Sequence, residues 1–425
     1  MGKALDAIFE YTCSLDIIDT HEHLPCFEKN RDQHTDFLKE YLLHYFKCDL
    51  VSAGLSQEAL VRVADPDQPL QERWALVAPY WDAARHTGYG QCIDVAVSGL
   101  YGIDGVNGDT VDAVQDAFAK SLGPGHFEYV LKEKSKVRVS LLDVGVLHSD
   151  QDFFRNIHRL DSYIMPGPGA VPRAEEILGT RVHSFGDWLD ACEADLDHAL
   201  AEGAVALKSG LAYSRPLRYE RRTRHEAEED FNRLLMHRPH GQWREVEVLS
   251  CPCLQDYMMH HVLRLAGRRG LTYQFHTGLQ EGNGNHVRYT DPTQMTNLFL
   301  EYPDVDFDIF HIGYPYHDAL SALCKNFPNV FIDMCWAHII SPVASVNALD
   351  EWLEAVPANK ISAFGGDFCF IDGVYGHQHL ARRNVSEALA RKVRTGLFDV
   401  DRACQIARML FVDNPMRIFK LDGTV

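Results

Sequence analysis

Short apolar runs separated by helical patterns recur along the chain, and this alternation limits the folds that the chain can adopt. Most of the runs are apolar almost without interruption, as strands buried on both faces are. The predicted strands are residues 15–19, 138–142, 204–208, 272–276, 306–311, 330–334 and 361–365, with residues 93–98 as a candidate eighth. Helical stretches at 292–302, 318–326 and 346–355 separate the later strands. The alternation predicts an α/β fold with a parallel sheet, closed as a (β/α)8 TIM barrel.

Two long segments interrupt this alternation. Residues 27–130 contain several helical patterns and are too long for one crossover, so we predict an α-helical insertion after strand 1 that caps the barrel mouth. Residues 209–253 are predicted to be a basic loop insertion after strand 4, and residues 399–421 to be two helices outside the barrel. We predict one domain over residues 1–425. The rival fold, a doubly wound sheet, needs a glycine-rich turn after strand 1, where residues 21–25 read His-Glu-His-Leu-Pro.

Composition excludes several classes of partner. The 425 residues are 46% hydrophobic and 24% charged, which is a globular composition. The formal net charge of −19 argues against nucleic acid and anionic membranes as partners. The eleven cysteines form no regular framework, the N-terminus lacks an apolar targeting region, and no run approaches a membrane span. We therefore expect a cytoplasmic protein, and a homo-oligomer as the default assembly.

The first strand ends in two histidines that can share one ligand. His21 and His23 are two residues apart, so both side chains leave the strand on the same face. At the carboxyl end of a barrel strand they face the mouth, where active sites of this fold lie. Two neutral imidazole nitrogens are half of a tetrahedral zinc site. Alone, this pair is a weak signal, and it is more often two surface histidines in a loop.

Three further polar residues end later strands. His276 follows an apolar run and precedes Thr-Gly, His311 follows another and precedes Ile-Gly-Tyr-Pro, and Asp367 comes after Gly-Gly. Small neighbours let the backbone and a ligand approach each other closely. One such histidine would most often be a satisfied core residue. Polar groups that end strands 1, 5, 6 and 8 in order are hard to explain by packing, and they predict a metal site.

At this point the sequence resembles the amidohydrolase superfamily, and within it the branch of aminocarboxymuconate-semialdehyde decarboxylase-like proteins and uronate isomerases. The resemblance covers strand 1 and almost everything after residue 203. The matching elements are Asp19-x-His21-x-His23, His276-Thr-Gly, His311-x-Gly-Tyr-Pro, Asn329-Val-Phe-Ile-Asp333, Gly365-Gly-Asp367 and Asn414-Pro-x-Arg417-x-Phe419.

The resemblance implies a set of ligands and a mechanism. In this family the matching positions bind a divalent metal, which here implies His21, His23, His276 and Asp367. Zinc is the default for nitrogen and oxygen ligands, and manganese or iron would suit the same set. A bound metal activates water, and Asp367 is expected to act as general base and then acid. His311 is expected either to bind a second metal or to polarise the substrate or shuttle a proton.

The end of strand 4 carries the candidate substrate-binding residues Lys208, Tyr213 and Arg215. Lys208 is either carboxylated, bridging two metals, or a free ammonium that binds a substrate carboxylate, and the resemblance favours the free amine. The arginine-rich tract at 218–224 is either a lid for a carboxylated substrate or a solvated helix start paired with glutamates.

Three reactions fit this sequence. The leading expectation is a metal-dependent hydrolase that acts on a small, anionic amide, ester or lactone. The alternatives are isomerisation of a sugar acid, as in uronate isomerases, and non-oxidative decarboxylation. Against isomerisation, the Asp-Ser-Arg typical of strand 8 in uronate isomerases is Asp367-Phe-Cys here. A non-catalytic metal-binding or sugar-sensing protein is the remaining alternative.

Overall fold

The computed structural model of the chain describes residues 2–236 and 251–423. Eight parallel strands form one sheet in sequential order. They are β1 (Ile17–Glu22), β2 (Val137–Leu142), β3 (Phe154–His158), β4 (Ala206–Ser209), β5 (Thr272–Phe275), β6 (Asp306–Ile309), β7 (Val330–Asp333) and β8 (Ile361–Ser362). Backbone hydrogen bonds join the segment after β8 back to β1, through Thr20 N to Phe364 O (3.1 Å) and His23 N to Phe368 O (3.0 Å). The sheet is therefore a nearly closed (β/α)8 barrel, and the predicted fold class is confirmed.

Nineteen α-helices are seen in residues 2–236 and 251–423, besides shorter 3-10 and π-helical turns. The first seven are α1 (Lys3–Ser14), α2 (Phe37–Leu42), α3 (Phe46–Ser52), α4 (Gln57–Val63), α5 (Leu70–Ala84), α6 (Gly88–Ala96) and α7 (Val111–Ser121). The next six are α8 (Asp161–Ile164), α9 (Ala170–Leu178), α10 (Phe185–Ala201), α11 (Arg224–Met236), α12 (Pro252–Arg269) and α13 (Thr296–Glu301). The last six are α14 (His317–Asn326), α15 (Ala337–Ile340), α16 (Pro342–Ala355), α17 (Ile371–Arg394), α18 (Val400–Arg408) and α19 (Asn414–Ile418). None of the helices in the described ranges is long and apolar enough to cross a membrane.

The candidate strand at residues 93–98 is wrong, because these residues belong to α6 and the helical turn Val97–Tyr101 that continues it. The buried positions Tyr89, Cys92, Ile93, Ala96 and Val97 follow helical rather than strand spacing. The strand that the sequence analysis missed is β3, whose sequence Phe-Arg-Asn-Ile-His has no apolar run. Such polar strand interiors give no periodic signal.

Residues 23–136, between β1 and β2, contain the helices α2 to α7 and form the helical segment. One buried carboxylate binds three parts of this segment to the barrel. Asp372, in the first turn of α17, is fully buried and accepts hydrogen bonds from Tyr41 (2.6 Å) and Tyr101 (2.5 Å), with His126 Nε2 at 2.5 Å. Burial acts to raise the pKa of Asp372, but these three partners outweigh it and hold the pKa below its usual value. The carboxylate therefore joins three parts of the helical segment to the helix that follows β8.

The basic tract after β4 is paired with acidic side chains. Arg218 lies against Glu220 (2.5 Å), Arg221 against Glu301 (2.8 Å) and Arg222 against Asp256 (3.1 Å). This agrees with the solvated alternative for the tract at residues 218–224. The predicted loop insertion at residues 209–253 is partly helical, because residues 224–236 form α11. Residues 237–250, which include Arg238 and Arg244, lie outside the described residues.

The C-terminal segment packs against the barrel. Ile418, Phe419 and Leu421 form a small apolar cluster with strand residues such as Ile18 and Val139. The Asn414 amide donates hydrogen bonds to the carbonyls of Ala358 (2.8 Å) and Ile361 (2.7 Å) at the beginning of β8. These contacts lie where strands begin, so this segment covers one end of the barrel and leaves the carboxyl ends of the strands for the site.

Candidate metal centre

Side chains from all eight strands meet at the carboxyl end of the barrel. They are His21 and His23 at β1, Asp143 after β2, Arg159 after β3, Lys208 in β4, His276 after β5, His311 after β6, Cys335 and Trp336 after β7, and Asp367 after β8. A site assembled from so many separate strands depends on barrel closure rather than on one local motif. This is the position where TIM-barrel enzymes carry their active sites.

His21, His23 and Asp367 form a compact group of donor atoms. One ligand atom from each lies within 4.8 Å of the others. His23 Nε2 is 3.1 Å from Asp367 Oδ1, and His21 Nε2 is 3.7 Å from the same oxygen. Asp143 Oδ2 lies 3.5 Å from His21 Nε2, which places a second carboxylate beside the group. Imidazole nitrogens and carboxylate oxygens are the donors that zinc and related divalent metals prefer.

The tautomer of each β1 histidine is fixed by its other ring nitrogen. His21 Nδ1 lies 3.1 Å from Gln274 Oε1, while the Gln274 amide donates to Thr20 O (2.9 Å) and Asp308 Oδ2 (3.2 Å). Since Gln274 Oε1 can only accept, His21 Nδ1 carries the proton and Nε2 keeps its lone pair. His23 Nδ1 similarly donates to Asp143 O (2.5 Å). The Nε2 lone pair of His21 is therefore available to a metal. Burial acts to lower the pKa of His23, but Asp367 outweighs it and raises this pKa, so a metal would replace a proton at His23 Nε2.

The electrostatics of this group fit a cation. His21 Nε2 is buried and makes no hydrogen bond within the described ranges. Burial, followed by the charge of Lys208, lowers the pKa of His21 well below its usual value, which keeps the ring neutral. Burial acts to raise the pKa of Asp367, but His23, His311 and His21 outweigh it and hold the carboxylate ionised. A buried, neutral imidazole next to an ionised carboxylate lacks one positive partner, and a metal ion would supply it.

His276 and His311 face each other instead of joining the first group. His311 Nε2 is 3.0 Å from His276 Nδ1. The outer nitrogens of both rings lie near carbonyl oxygens, His311 Nδ1 at 2.9 Å from Cys335 O and His276 Nε2 at 3.0 Å from Leu279 O. Carbonyls only accept, so two neutral rings would point lone pairs at each other. A proton or a cation is needed between these nitrogens.

A second group of donors overlaps the first. His311, Cys335 and Asp367 each offer one ligand atom within 4.8 Å of the others. Asp367 belongs to both groups: Oδ1 faces His21 and His23, while Oδ2 is 3.9 Å from His311 Nε2. The two oxygens of one carboxylate can therefore serve two different partners.

Backbone geometry holds Asp367 and its neighbours in place. Of the six non-glycine residues with positive φ in the described ranges, His311, Ile312, Trp336 and Asp367 follow strands at this end. Such conformations cost roughly 1–3 kcal/mol each and cluster at functional sites. Asp367 N donates to His21 O (2.8 Å), and the Tyr45 hydroxyl donates to Asp367 O. At Gly366 a Cβ would collide with the Glu22 carboxylate, so this close approach requires glycine.

Two cations lie close to the donor groups. Lys208 is buried, its Nζ is 3.5 Å from the centroid of the Phe310 ring, and burial lowers its pKa to about 8. Arg159 donates hydrogen bonds from Nε (2.8 Å) and Nη2 (2.5 Å) to Asp143 Oδ2, and the Arg159 side chain is 39% exposed. Arg159 can therefore still reach a ligand with its remaining donor atoms.

The other predicted substrate-binding residues differ in position. The Tyr213 ring centroid is 4.5 Å from that of His276, and its hydroxyl accepts a hydrogen bond from Glu281 N (2.9 Å). The Arg215 guanidinium is buried and paired with Asp256 (2.7 Å) and Gln255 (2.8 Å) on α12. Tyr213 thus borders the histidine pair, whereas Arg215 stabilises the loop after β4.

Sequence reasoning missed Asp143, Arg159, Gln274 and Cys335. Asp143 directly follows a predicted strand, so its position carried the same signal as His276 and Asp367. Arg159 gave no signal because β3 itself was missed. Gln274 and Cys335 lie inside or just beyond apolar runs, where the sequence does not show which face a side chain takes.

Comparison with known proteins assigns the family. Residues 183–421 match the amidohydrolase family, which is more than half of the chain, so the chain belongs to that family. The resemblance inferred from the sequence is confirmed.

Individual proteins that resemble this chain have low sequence identity to it. Protein fluG of Emericella nidulans is 28% identical over 179 residues, which cover 40% of this chain and 20% of fluG, so the match spans only a fifth of that relative. The uronate isomerase of Thermotoga maritima has a similar fold, with a TM-score of 0.79 at 14% identity over 99% of this chain and 98% of its own. A proposed metal-dependent hydrolase from Lactobacillus casei gives a TM-score of 0.67 at 19% identity, with 98% of each chain covered.

The role of Gln274 can be tested by substitution. In a Gln274→Met variant His21 Nδ1 loses its acceptor, so the ring is no longer held with Nε2 toward the donor group. We expect the affinity for Zn²⁺ to fall by about 10–100-fold, as is typical when a partner of a metal-bound histidine is removed. Competition with a chromogenic chelator measures this affinity.

The matched control is Gln115→Met. In this variant the backbone amide of Phe37, in the helical segment, loses its acceptor Gln115 Oε1. This variant should bind Zn²⁺ as the parent does. Equal losses in both variants, or no loss in Gln274→Met, would contradict the assignment.

Proposed function

We propose that the chain is a metal-dependent hydrolase that cleaves an amide, ester or lactone bond in a small carboxylated substrate. The observation that carries the proposal is the buried donor group of His21, His23 and Asp367, in which His21 Nε2 lacks a hydrogen-bond partner among the described residues. Membership of the amidohydrolase family supports the same reading. A non-catalytic metal-binding protein would not need ionisable groups placed around such a centre.

We infer that His21, His23 and Asp367 hold a divalent metal. His276 is the candidate fourth ligand, and its ring would have to turn from His311 toward this group. Zn²⁺ suits neutral imidazoles and a carboxylate best, and Mn²⁺ or Fe²⁺ would accept the same donors. When bound, the metal lowers the pKa of a coordinated water to about 7 and so supplies hydroxide near neutral pH. The group of His311, Cys335 and Asp367 offers a second position, so the number of metals per chain is open to measurement.

Asp367 and His311 are the residues proposed to transfer protons. With Oδ1 turned to the β1 histidines, Asp367 Oδ2 is the atom that can take a proton from water and return it to the leaving group. His311 donates from Nδ1 to Cys335 O, which leaves Nε2 as an acceptor. An acceptor cannot polarise a carbonyl oxygen, so for His311 proton transfer is favoured over polarisation of the substrate.

Lys208 and Arg159 support a carboxylated substrate. Their charges balance those of Asp143 and Asp367, so a bound divalent metal would leave the barrel mouth positive and suited to a small anion. Arg159 is held in a fixed plane by Asp143, which prepares its free donors for a carboxylate. The free amine of Lys208 is favoured over a carboxylated lysine, and a stoichiometry of two metals per chain would reverse that preference.

A second candidate is isomerisation of a sugar acid. It is supported by the fold shared with uronate isomerases along nearly the whole chain. It is opposed at the segment after β8, where Phe368 and Cys369 follow Asp367. Phe368 is buried against Tyr45 and Phe370, so its ring serves packing and offers no charge to a substrate.

A substrate screen distinguishes the two reactions. The Zn²⁺-loaded enzyme is tested in H₂¹⁸O with N-acyl amino acids, sugar-acid lactones and uronates. We expect hydrolysis of a carboxylated amide, ester or lactone with one ¹⁸O atom in the product. An Asp367→Asn variant with normal metal content should lose about 10²–10⁴-fold in kcat.

Conversion of a uronate to its ketose, without hydrolysis of the other compounds, would contradict the hydrolase assignment. Full activity of metal-loaded Asp367→Asn would contradict the role of the carboxylate as base.

The role of Arg159 is tested by Arg159→Lys. Lysine keeps the charge but loses the planar pair of donors, so we expect KM for a carboxylated substrate to rise about 10-fold or more with a smaller change in kcat. Steady-state kinetics provide both constants. The control is Arg173→Lys, since Arg173 also pairs with a buried aspartate, Asp195 (3.0 Å), on the helices before β4. An unchanged KM in Arg159→Lys, or equal changes in both variants, would contradict the assignment.

A further inference from the structure

A cavity of about 350 Å³ opens beside the metal centre, between the helical segment and the chain after β8. Its wall includes Pro25, two residues after His23, and Cys369, two residues after Asp367. His44 also lines it, and the His44 ring centroid is 3.9 Å from that of Tyr45, whose hydroxyl donates to Asp367 O. The cavity therefore lies next to residues that adjoin the donor group, and the mechanism proposed above does not use it.

Arg31 is the distinctive group in this wall. Its side chain is only 4% exposed. Nη1 donates to Ser121 O (2.5 Å), but Nη2 is buried and has no hydrogen-bond acceptor in the part of the chain that the structure describes. The nearest carboxylate oxygen, Glu40 Oε1, is 3.8 Å away, which is beyond hydrogen-bonding distance. A buried guanidinium with an unused donor is costly, and a bound anion would supply the acceptor.

The other charges around the cavity leave Arg31 as the group best placed for an anion. Lys39 already donates to Asp32 (2.8 Å). Burial lowers the pKa of His44 to about 3, so this ring is neutral. Burial raises the pKa of Glu40 to about 7 despite the charge of Arg31, so Glu40 gives up its negative charge easily. At neutral pH and below, an incoming anion would therefore meet little repulsion from Glu40.

The walls of the cavity are preformed. Asp372 lies next to the lining residue Ile371 and accepts hydrogen bonds from Tyr41 and Tyr101 of the helical segment. The two sides of the cavity are thus fastened to each other by buried polar contacts. A ligand would enter an existing space and would not need to order it.

We propose that this cavity is a subsite for a second carboxylate of the substrate, bound by Arg31, so that the substrate is a dicarboxylate with its reacting bond at the metal. The proposal deepens the function proposed above and rests on it for the position of the reacting bond. Recognition of the distal carboxylate by Arg31 is independent of the reaction. A planar carboxylate matches the guanidinium because it can accept from Nη2 while Nη1 stays bound to Ser121.

Binding of paired ligands tests the subsite without turnover. Isothermal titration of the Zn²⁺-loaded enzyme compares each dicarboxylate from glutarate to suberate with the monocarboxylate in which one carboxylate is a methyl group, such as pentanoate for glutarate. We expect at least one dicarboxylate to bind about 10-fold more tightly than its partner. In Arg31→Met this gain should disappear, whereas in Arg85→Met, a half-exposed arginine paired with Asp94, it should persist.

A second variant covers the case in which Arg31→Met fails to fold. The titrations with this variant are made at pH 8.5, where Glu40 is ionised because its pKa is about 7. Under these conditions Glu40→Gln removes a competing carboxylate but keeps the shape of the side chain, so the gain from the second carboxylate should increase. Three results would each overturn the subsite. One is a ratio of dicarboxylate to monocarboxylate affinity near one for every pair in the parent. The others are an unchanged ratio in folded Arg31→Met and an unchanged ratio in Glu40→Gln.

The two proposals fail separately. An Arg31-dependent gain in an enzyme that hydrolyses none of the screened compounds would leave the subsite standing and remove the hydrolase assignment. Hydrolysis of a monocarboxylate substrate, at a rate that a second carboxylate does not change, would support the hydrolase assignment and overturn the subsite.

Discussion

The seam between β1 and the chain after β8 is the contact on which the site depends. Asp19 Oδ1 accepts hydrogen bonds from Gly366 N (3.0 Å) and His21 N (3.2 Å), and Glu22 Oε2 accepts from Phe368 N (2.8 Å). Burial raises the pKa of Asp19 to about 7, and burial together with the charge of Asp19 raises that of Glu22 well above its usual value. The pair can therefore hold a proton at neutral pH. This seam closes the barrel and also sets the β1 histidines beside Asp367.

Much of the barrel and part of its centre could be predicted from the sequence, for physical reasons. Strands buried on both faces must be apolar along their whole length, so seven strands stood out as continuous runs. A polar residue at the end of such a run contrasts with the apolar residues before it. The sequence therefore predicts His21, His23 and Asp367 as site residues. The parity of a strand also placed both β1 histidines on one face.

What the sequence could not predict depends on contacts between distant segments. The strand β3 can bury the polar side chain of Asn156 because this amide is hydrogen-bonded to Ser149 and to Val146 O (2.9 Å). The strand therefore lacks an apolar pattern, and Arg159 was missed with it. The pairing of His276 with His311 was equally hidden, because both residues end strands in the same way as the β1 histidines. The structure shows that these two rings face each other, with His311 Nε2 3.0 Å from His276 Nδ1.

The central claim is that His21, His23 and Asp367 bind one metal ion. Diffraction from crystals of the Zn²⁺-loaded protein, recorded on both sides of the zinc absorption edge, tests it directly. The account predicts an anomalous peak about 2.0–2.2 Å from His21 Nε2, His23 Nε2 and a carboxylate oxygen of Asp367. A peak bound only by His311 and Cys335, or no peak at the barrel mouth in crystals whose protein binds zinc in solution, would contradict it.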